Sequence, residues 1–379
     1  MIWFSDERLA ALARHAAEKK HELPDDMGFG PRGLLSHRRP RREANATLLL
    51  MNRPDDEHTP PAGIPITPIA EEGDGIAEQG DGIAMDDDGD GRQDFRRLRA
   101  RGSRGLGWLP DLPDIRDYTF EHPKIQASPL MKATSAPLKT APTKIDVRGF
   151  FSPVEDQLTL GSCTIQAYVA LLEYFERRAL GRHVDASRLF GYKITRKLMG
   201  VTGDTGAHLR TTMQAAALIG LPPEKHYPYV IKNFDLEPDP FIYQLAQNWQ
   251  ATSYFRLDPA GSTGAQALAN VKARLAAGQP SMFGFTVYSS MPYQTTTGVI
   301  PYPKAGDRVD GGHAVVAVGY DDAFSIDGTK GAVMIRNSWG TRWGVKGYGW
   351  MSYRWFVDRL AVDIWSLARS EYVDLVPFA

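Results

Sequence analysis

The spacing of apolar residues changes once along this chain of 379 residues. Between residues 163 and 277 it follows helical periodicity, and from residue 282 onwards it follows the pattern of strands. Helices followed by strands predict an α+β fold with a helical half and a sheet or barrel half. The predicted elements are a strand at Ile145 to Arg148, helices at Cys163 to Leu180, Leu209 to Ile219 and Ala265 to Ala277, and strands at Met282 to Tyr288, Ala314 to Tyr320, Gly331 to Arg336 and Tyr348 to Tyr353.

The chain before residue 106 has a different composition. Residues 1–65 form an N-terminal extension with one predicted amphipathic helix, from Ser5 to Lys20. Residues 66–105 carry two copies of Gly-Asp-Gly-Ile-Ala, an acidic run and five arginines between Arg96 and Arg104, which predict a disordered linker. Because no aromatic residues interleave with these arginines, the cluster favours a solvated linker over a nucleic-acid site.

Part of the acidic run matches half of a calcium-binding loop. Asp86, Asp88, Asp90 and Gly91 fit the first half of an EF-hand-type loop, whose twelfth position should supply a bidentate carboxylate. Arg97 stands at that position, and no flanking pair of helices is predicted. A solvated acidic linker is therefore the favoured interpretation, and a calcium site is the alternative.

The charge and the cysteine count narrow the function classes. The chain has 44 Lys and Arg against 45 Asp and Glu, and its net charge of -1 gives no general attraction to nucleic acid or to an anionic membrane. Its one cysteine rules out an intrachain disulfide. No signal peptide or transmembrane stretch is recognisable, so a cytoplasmic location is the default and export without a leader is the alternative. We expect no metal or other cofactor.

Four separated residues together have the chemistry of a thiol nucleophile. Cys163, after Gly161-Ser162, begins a long predicted helix, where the positive end of the helix dipole favours thiolate. His313 opens an apolar strand that would hold its ring rigidly, and the side chain of Asn337 can accept the imidazole N–H. Gln157 lies six residues before Cys163, and its amide can form an oxyanion hole with the Cys163 backbone N–H.

Each of these residues has a plainer interpretation when it is taken alone. An isolated cysteine is more often a small buried residue, an isolated histidine at a strand is more often part of the core, and Asn337 is typical of a turn beside core tryptophans. Trp339 is predicted to cover the hydrogen bond between His313 and Asn337 and to keep water away from it. The combination favours catalysis over packing.

Residues 142–355 resemble the papain family of cysteine peptidases. The matching features are the glutamine six positions before the cysteine, the Gly-Ser that precedes it, His313 before Ala-Val-Val-Ala-Val-Gly-Tyr, and Asn337 before Ser-Trp-Gly-Thr-Arg-Trp-Gly. The resemblance implies a two-lobed α+β fold, with the nucleophile helix in a helical lobe and an antiparallel β-barrel-like lobe beside it. It also implies hydrolysis of peptide bonds through an acyl-enzyme, with Cys163 as nucleophile, His313 as general acid/base, Asn337 as orienting residue and Gln157 as oxyanion donor.

The chain departs from the family pattern at several positions. Thr164 stands where the family usually has tryptophan, and Leu160 stands where a disulfide-forming cysteine is usual. Asp321 to Lys330 is a predicted insertion in the hairpin between the histidine and the asparagine. Small residues in the pocket for the substrate's second residue predict that the pocket accepts a bulky side chain. The positions that the resemblance assigns to substrate binding are Gly206, Ala207, Gly284, Gly312 and Trp339.

Residues 106–141 are predicted to be a prosegment-like arm in front of a catalytic domain at 142–379. The run from Gly107 to Tyr118 resembles the segment that precedes the catalytic domain in bacterial papain-like peptidases. We expect the arm to pack on the catalytic domain and to lie across its cleft as an intramolecular inhibitor, with a passive extended arm as the equal alternative. The functional alternatives are transpeptidation or deamidation by the same triad, and an inactive peptide-binding module.

Overall fold

The computed structural model of the chain describes residues 104–128 and 142–370. The predicted helix at Ser5 to Lys20, the acidic repeats, the calcium-type loop and all but the end of the 66–105 linker lie outside these residues. The predicted domain boundaries therefore stay predictions. No helix in the described ranges is long and apolar enough to cross a membrane.

Helices fill the first part of the described chain, as the periodicity predicts. The central one, α2, is buried along almost its whole length because apolar residues occur on every face. It ends at Gly181, whose φ of 71° lets its N–H bond the carbonyl of Arg177. The helices are α1 (Pro123–Gln126), α2 (Cys163–Leu180), α3 (Arg188–Leu198), α4 (Leu209–Leu218), α5 (Pro240–Ala246), α6 (Gly264–Ala276) and α7 (Arg354–Val357).

The strands form one eight-stranded sheet that is antiparallel except for the pairing of β4 with β7. Its order is β2-β8-β3-β5-β6-β7-β4, and β1 also pairs with β5. The strands are β1 (Lys144–Asp146), β2 (Ala251–Arg256), β3 (Ser281–Tyr288), β4 (Val299–Ile300), β5 (Val309–Ile326), β6 (Thr329–Arg336), β7 (Tyr348–Ser352) and β8 (Ala361–Ser370).

Strand β5 separates two apolar cores. Ala314, Val316 and Val318 pack in the core that contains α2. Val315 and Ala317 pack in the second core, which contains α6 residues and the tryptophans of the sheet lobe. Successive side chains of a strand point to opposite faces, so this alternation fixes the register of β5 between the two lobes. The α+β fold with a helical lobe and a sheet lobe is confirmed.

The predicted elements agree with the structure except at some ends. The first strand stops at Asp146 because residues 148–150 form a 3₁₀ turn, and the predicted strand at 314–320 is part of the longer β5. The predicted insertion at 321–330 is the end of the β5–β6 hairpin, which turns at Asp327 and Gly328 with φ values of 49° and 77°. Helices α1, α3, α5 and α7 and strands β2, β4 and β8 are additional elements.

Candidate active site

Cys163 is the first residue of α2 and its side chain is fully buried. Burial raises the pKa of its thiol to about 12, against the opposing effect of hydrogen bonds from the backbone N–H groups of Ala314, Gly107, Cys163 itself and Thr164. The contact with Ala314 places the sulfur beside the residue that follows His313. While the thiol is buried, the dipole of α2 and the nearby N–H groups do not offset the free-energy cost of forming a thiolate away from water.

Ser162 is the N-cap residue of α2, but its side chain makes no capping hydrogen bond. Its hydroxyl instead hydrogen-bonds the hydroxyl of Tyr229 at 2.7 Å, and Tyr229 also donates to the carbonyl of Gln157 at 3.1 Å. The turn before the nucleophile is therefore tied to the loop that carries Tyr229.

The ring of His313 is held by aromatic residues on both sides. It stacks on Trp339 with ring centroids 4.6 Å apart and meets the ring of Phe285 nearly edge-on at 5.8 Å. Phe285 is its direct partner across β3 and β5. Burial lowers the pKa of His313 to about 4, and its hydrogen bond to Asn337 acts in the opposite direction. The imidazole is therefore neutral at pH 7.

Asn337 fixes the tautomer of His313. Its Oδ1 lies 2.8 Å from His313 Nε2 and also accepts the backbone N–H of Ser338 at 2.8 Å. Because an amide oxygen only accepts, Nε2 carries the proton and Nδ1 is left with its lone pair. His313 Nδ1 is buried without a hydrogen-bond partner, and it is the atom that can take a proton. Trp339 is fully buried and stacks on the His313 ring, and its role in excluding water from this pair stays a prediction.

Gln157 is fully buried six residues before Cys163. Its Oε1 accepts from the hydroxyl of Ser338 at 2.6 Å, so the amide orientation is fixed. Its Nε2 donates to the carbonyl of Leu160 at 2.9 Å and to the carbonyl of Gly105 at 3.0 Å. A carbonyl oxygen of the N-terminal arm thus accepts the N–H group of Gln157 that is predicted to stabilise an oxyanion.

The described part of the arm spans residues 104–128, and its first residues, 104–111, lie along the cleft between the two lobes. The N–H groups of Gly107 and Trp108 both donate to the carbonyl of Gly312 at 3.0 Å. Ala207 donates to the carbonyl of Gly107 at 2.7 Å and accepts from Leu109 at 3.0 Å, so Trp108 pairs with Ala207 in the parallel sense. The backbone of two predicted substrate-binding residues, Ala207 and Gly312, is therefore bonded to the chain's own arm.

The side chain of Trp108 fills the pocket predicted to accept a bulky group. A Cβ added to Gly284 or to Gly312 would overlap the ring of Trp108. Gly206, with φ of 77°, lies against Gly107, and a Cβ there would meet the arm backbone. These three glycines therefore share one physical role, which is to allow the close approach of the arm.

Ion pairs hold the arm at both ends. At the start, Arg104 bonds Asp156 at 2.8 Å. Farther along, Asp117 of the arm bonds Arg210 of α4 at 2.7 Å and lies 3.5 Å from Arg256 of β2. Asp111 also pairs with Arg210. The arm is therefore attached to both lobes.

The departures from the family pattern are accommodated by local contacts. Thr164 is fully buried, and the hydroxyl of Thr212 donates to its hydroxyl at 3.1 Å, which links α2 to α4. Leu160, in place of a disulfide cysteine, is buried in the core of the helical lobe.

Sequence reasoning missed a buried charged cluster under the pocket. Asp363 accepts from Trp108 Nε1 at 3.0 Å, and Arg256 lies between Asp258 and Asp363 at 2.9 and 3.3 Å. One signal was available in the sequence. Arg256 and Asp258 lie two residues apart in a strand-like stretch, so their side chains point to the same face, and charged residues are rarely buried unless they are paired. No group of three His, Cys, Asp or Glu suited to a metal ion occurs among the described residues.

The chain is similar to known proteins over most of its described residues. The family model described as papain family cysteine protease matches residues 141–357. The uncharacterized peptidase C1-like protein of Acanthamoeba polyphaga mimivirus is 31% identical over 274 residues, covering 69% of this chain and 86% of that protein. Chymopapain of Carica papaya is 29% identical over 245 residues, covering 62% of this chain and 57% of chymopapain.

The fold of this chain is also similar to that of a solved structure. The crystal structure of xylellain, a cysteine protease from Xylella fastidiosa, superposes with a TM-score of 0.57 at 33% identity. The match covers 71% of this chain and 98% of xylellain.

The buried thiol predicts a steep pH dependence of alkylation. With a pKa of about 12, the thiolate fraction of Cys163 grows throughout the working range. In the full chain the rate of reaction with iodoacetamide should therefore rise about tenfold per pH unit from roughly pH 7 to 10. Mass spectrometry measures the adduct without ambiguity because the chain has one cysteine, and Cys163→Ala should stay unlabelled. A rate that levels off below about pH 9 would contradict the buried neutral thiol.

Proposed function

Because the chain belongs to the papain family of cysteine proteases, we propose that Cys163, His313, Asn337 and Gln157 are its catalytic machinery for hydrolysing peptide bonds. The observation that carries the proposal is the bond of 2.8 Å between His313 Nε2 and Asn337 Oδ1. That bond directs the proton-accepting Nδ1 away from Asn337. The next residue on the same strand, Ala314, donates its backbone N–H to the Cys163 thiol. Cysteine, base and orienting amide are thus supplied by three separate elements.

The proposed reaction follows from these positions. His313 Nδ1 takes the proton of the Cys163 thiol, and the sulfur attacks the carbonyl carbon of the scissile peptide bond. The oxyanion is stabilised by Gln157 Nε2 and the backbone N–H of Cys163. His313 then gives its proton to the leaving amine, which leaves a thioester on Cys163. It next takes a proton from water, and the hydroxide formed releases the acid and restores the thiol.

We propose that the arm keeps this site latent. The carbonyl of Gly105 accepts from Gln157 Nε2, and the backbone of Gly107 is hydrogen-bonded to the backbone of Gly312 and Ala207. A substrate strand therefore cannot bind to these groups. Burial also keeps the pKa of Cys163 high and the pKa of His313 low, which favours the neutral thiol and neutral imidazole. Displacement of the arm would admit water and substrate together. Inhibition rather than passive support is the role that these contacts favour.

The alternatives from the sequence are less well supported. An inactive binding module would have no need for a histidine with a fixed tautomer and a free proton-accepting nitrogen. Transpeptidation or deamidation would use the same residues, but the proteins similar to this chain bear the names of proteases. Removal of the arm as a propeptide, the cytoplasmic location and a bacterial origin stay predictions.

Substitution of Gln157 tests the oxyanion assignment. In a chain activated by Trp108→Ala, adding Gln157→Ala should lower kcat roughly 100- to 1000-fold with a smaller change in KM, because the lost donor acts in the transition state. The exposed Gln244→Ala change serves as the matched control and should leave kcat within about twofold. Cys163→Ala should abolish turnover. Equal kcat for Gln157→Ala and Gln244→Ala would refute the assignment.

Substitution of Trp108 tests latency. Trp108→Ala removes the side chain that anchors the arm in its pocket, so the full chain should cleave a fluorogenic peptide at least about tenfold faster than the wild type. Ile115→Ala, on the same arm but fully exposed, is the matched control and should change nothing. Activity that stays unchanged or falls in Trp108→Ala would count against an inhibitory arm.

A further inference from the structure

The pocket that holds Trp108 is flat and ends in a buried carboxylate. Gly284 and Gly312 form walls that leave no room for a side chain beside the indole ring. Asp363 lies at the far end with no exposed surface, and its Oδ2 accepts the indole Nε1–H at 3.0 Å. The pocket thus recognises both the shape of a wide aromatic ring and one N–H group.

Asp363 is held rigidly in this orientation. Its Oδ1 accepts from Trp365 Nε1 at 2.7 Å and lies 3.3 Å from a guanidinium nitrogen of Arg256. Its own backbone N–H donates to Asp258 Oδ2 at 2.8 Å, and its φ is 57°, in the left-handed region. Because Oδ1 and the backbone are engaged, Asp363 cannot turn away to find another donor when Oδ2 loses Trp108.

Asp363 lies beside other buried charged groups. The Arg256 guanidinium is itself buried, lies near Asp363, Asp258 and Asp117, and packs over the ring of Trp365 at 5.1 Å from its centroid. A lysine or arginine side chain in the pocket would approach this guanidinium at low dielectric. Burial nevertheless raises the pKa of Asp363 to about 6, because Arg256 is shared among these carboxylates and compensates the charge only in part. The bond from the indole Nε1–H of Trp108 to Oδ2 shows that an uncharged donor fits this end of the pocket.

We propose that Asp363 is a specificity-determining residue, and that the unblocked pocket selects a substrate tryptophan through an indole N–H···Oδ2 hydrogen bond. The inference rests on the proposed peptidase function and deepens it by naming the side chain that the pocket takes. Trp108 is the chain's own example of that ligand. A ring without N–H leaves Oδ2 buried and unpaired, and a site built around such a bond rejects the analogue that lacks it.

A pair of matched substrates tests the proposal without altering the pocket. The enzyme is the full chain carrying Trp108→Ala, and the peptides differ only at the residue second before the scissile bond. One has tryptophan there and the other has benzothienylalanine, in which sulfur replaces the indole N–H within almost the same outline. The tryptophan peptide should have a kcat/KM roughly 10- to 100-fold higher. Equal values, or a preference for arginine at that position, would overturn the proposal.

A binding measurement separates this inference from the proposed function. The full chain carrying Trp108→Ala and Cys163→Ala cannot cleave, and calorimetry should still give a lower Kd for the tryptophan peptide. If neither peptide is cleaved by the Cys163 chain but this binding preference holds, the peptidase proposal fails and the specificity inference stands. If both peptides bind equally, the specificity inference fails whatever the cleavage result. Adding Asp363→Asn, which keeps the shape of the side chain, should shrink the preference.

Discussion

The packing of the first turn of α2 against β5 is the contact on which the site depends. Cys163 lies at the start of a helix that is buried on nearly all sides, and the thiol receives the backbone N–H of Ala314 from the strand. The alternating side chains of β5 are divided between two cores. If the strand slipped by one residue, every side chain would move to the opposite face and the packing of both cores would be lost. Cys163 and the strand that carries His313 are therefore held together by burial of apolar surface on either side of β5.

That burial has a chemical consequence for the resting chain. A thiolate and an imidazolium are both disfavoured where water is excluded, and the arm completes the exclusion by lying over Cys163. The arm bonds the backbone of Ala207 and Gly312, which are the positions predicted to bind a substrate peptide. In the proposed latent state, blocking of the binding surface and suppression of a thiolate–imidazolium pair would both follow from this placement of the arm.

The sequence was informative wherever the relevant residues are close together in the chain. Cys163, His313 and Asn337 each lie in a local motif, and the ends of α2 are marked by Gly161-Ser162 and Gly181. Helix α3 was missed because Gly191 and β-branched residues weaken its helical pattern. In the fold, Gly191 is required since a Cβ there would overlap Ile165. Tertiary packing overrides propensity at this position.

Asp363 shows where such reasoning stops. Its partner Trp108 is 255 residues away in the chain, and the glycine walls of the pocket come from β3 and β5. An aspartate in an apolar C-terminal strand gives no local indication that it faces a pocket. The arm had a recognisable composition, but its attachment to Arg210 and Arg256 depends on the folded positions of α4 and β2.

The central claim is that one cleft serves the arm and the substrate in turn. A crystal structure of the full chain after Cys163 has reacted with a peptidyl vinyl sulfone tests it most directly. The account predicts that the inhibitor backbone bonds Ala207 and Gly312, that its side chain enters the pocket at Gly284, and that residues 104–111 have left the cleft. A covalent adduct on Cys163 with Trp108 still bound to Asp363 would contradict it.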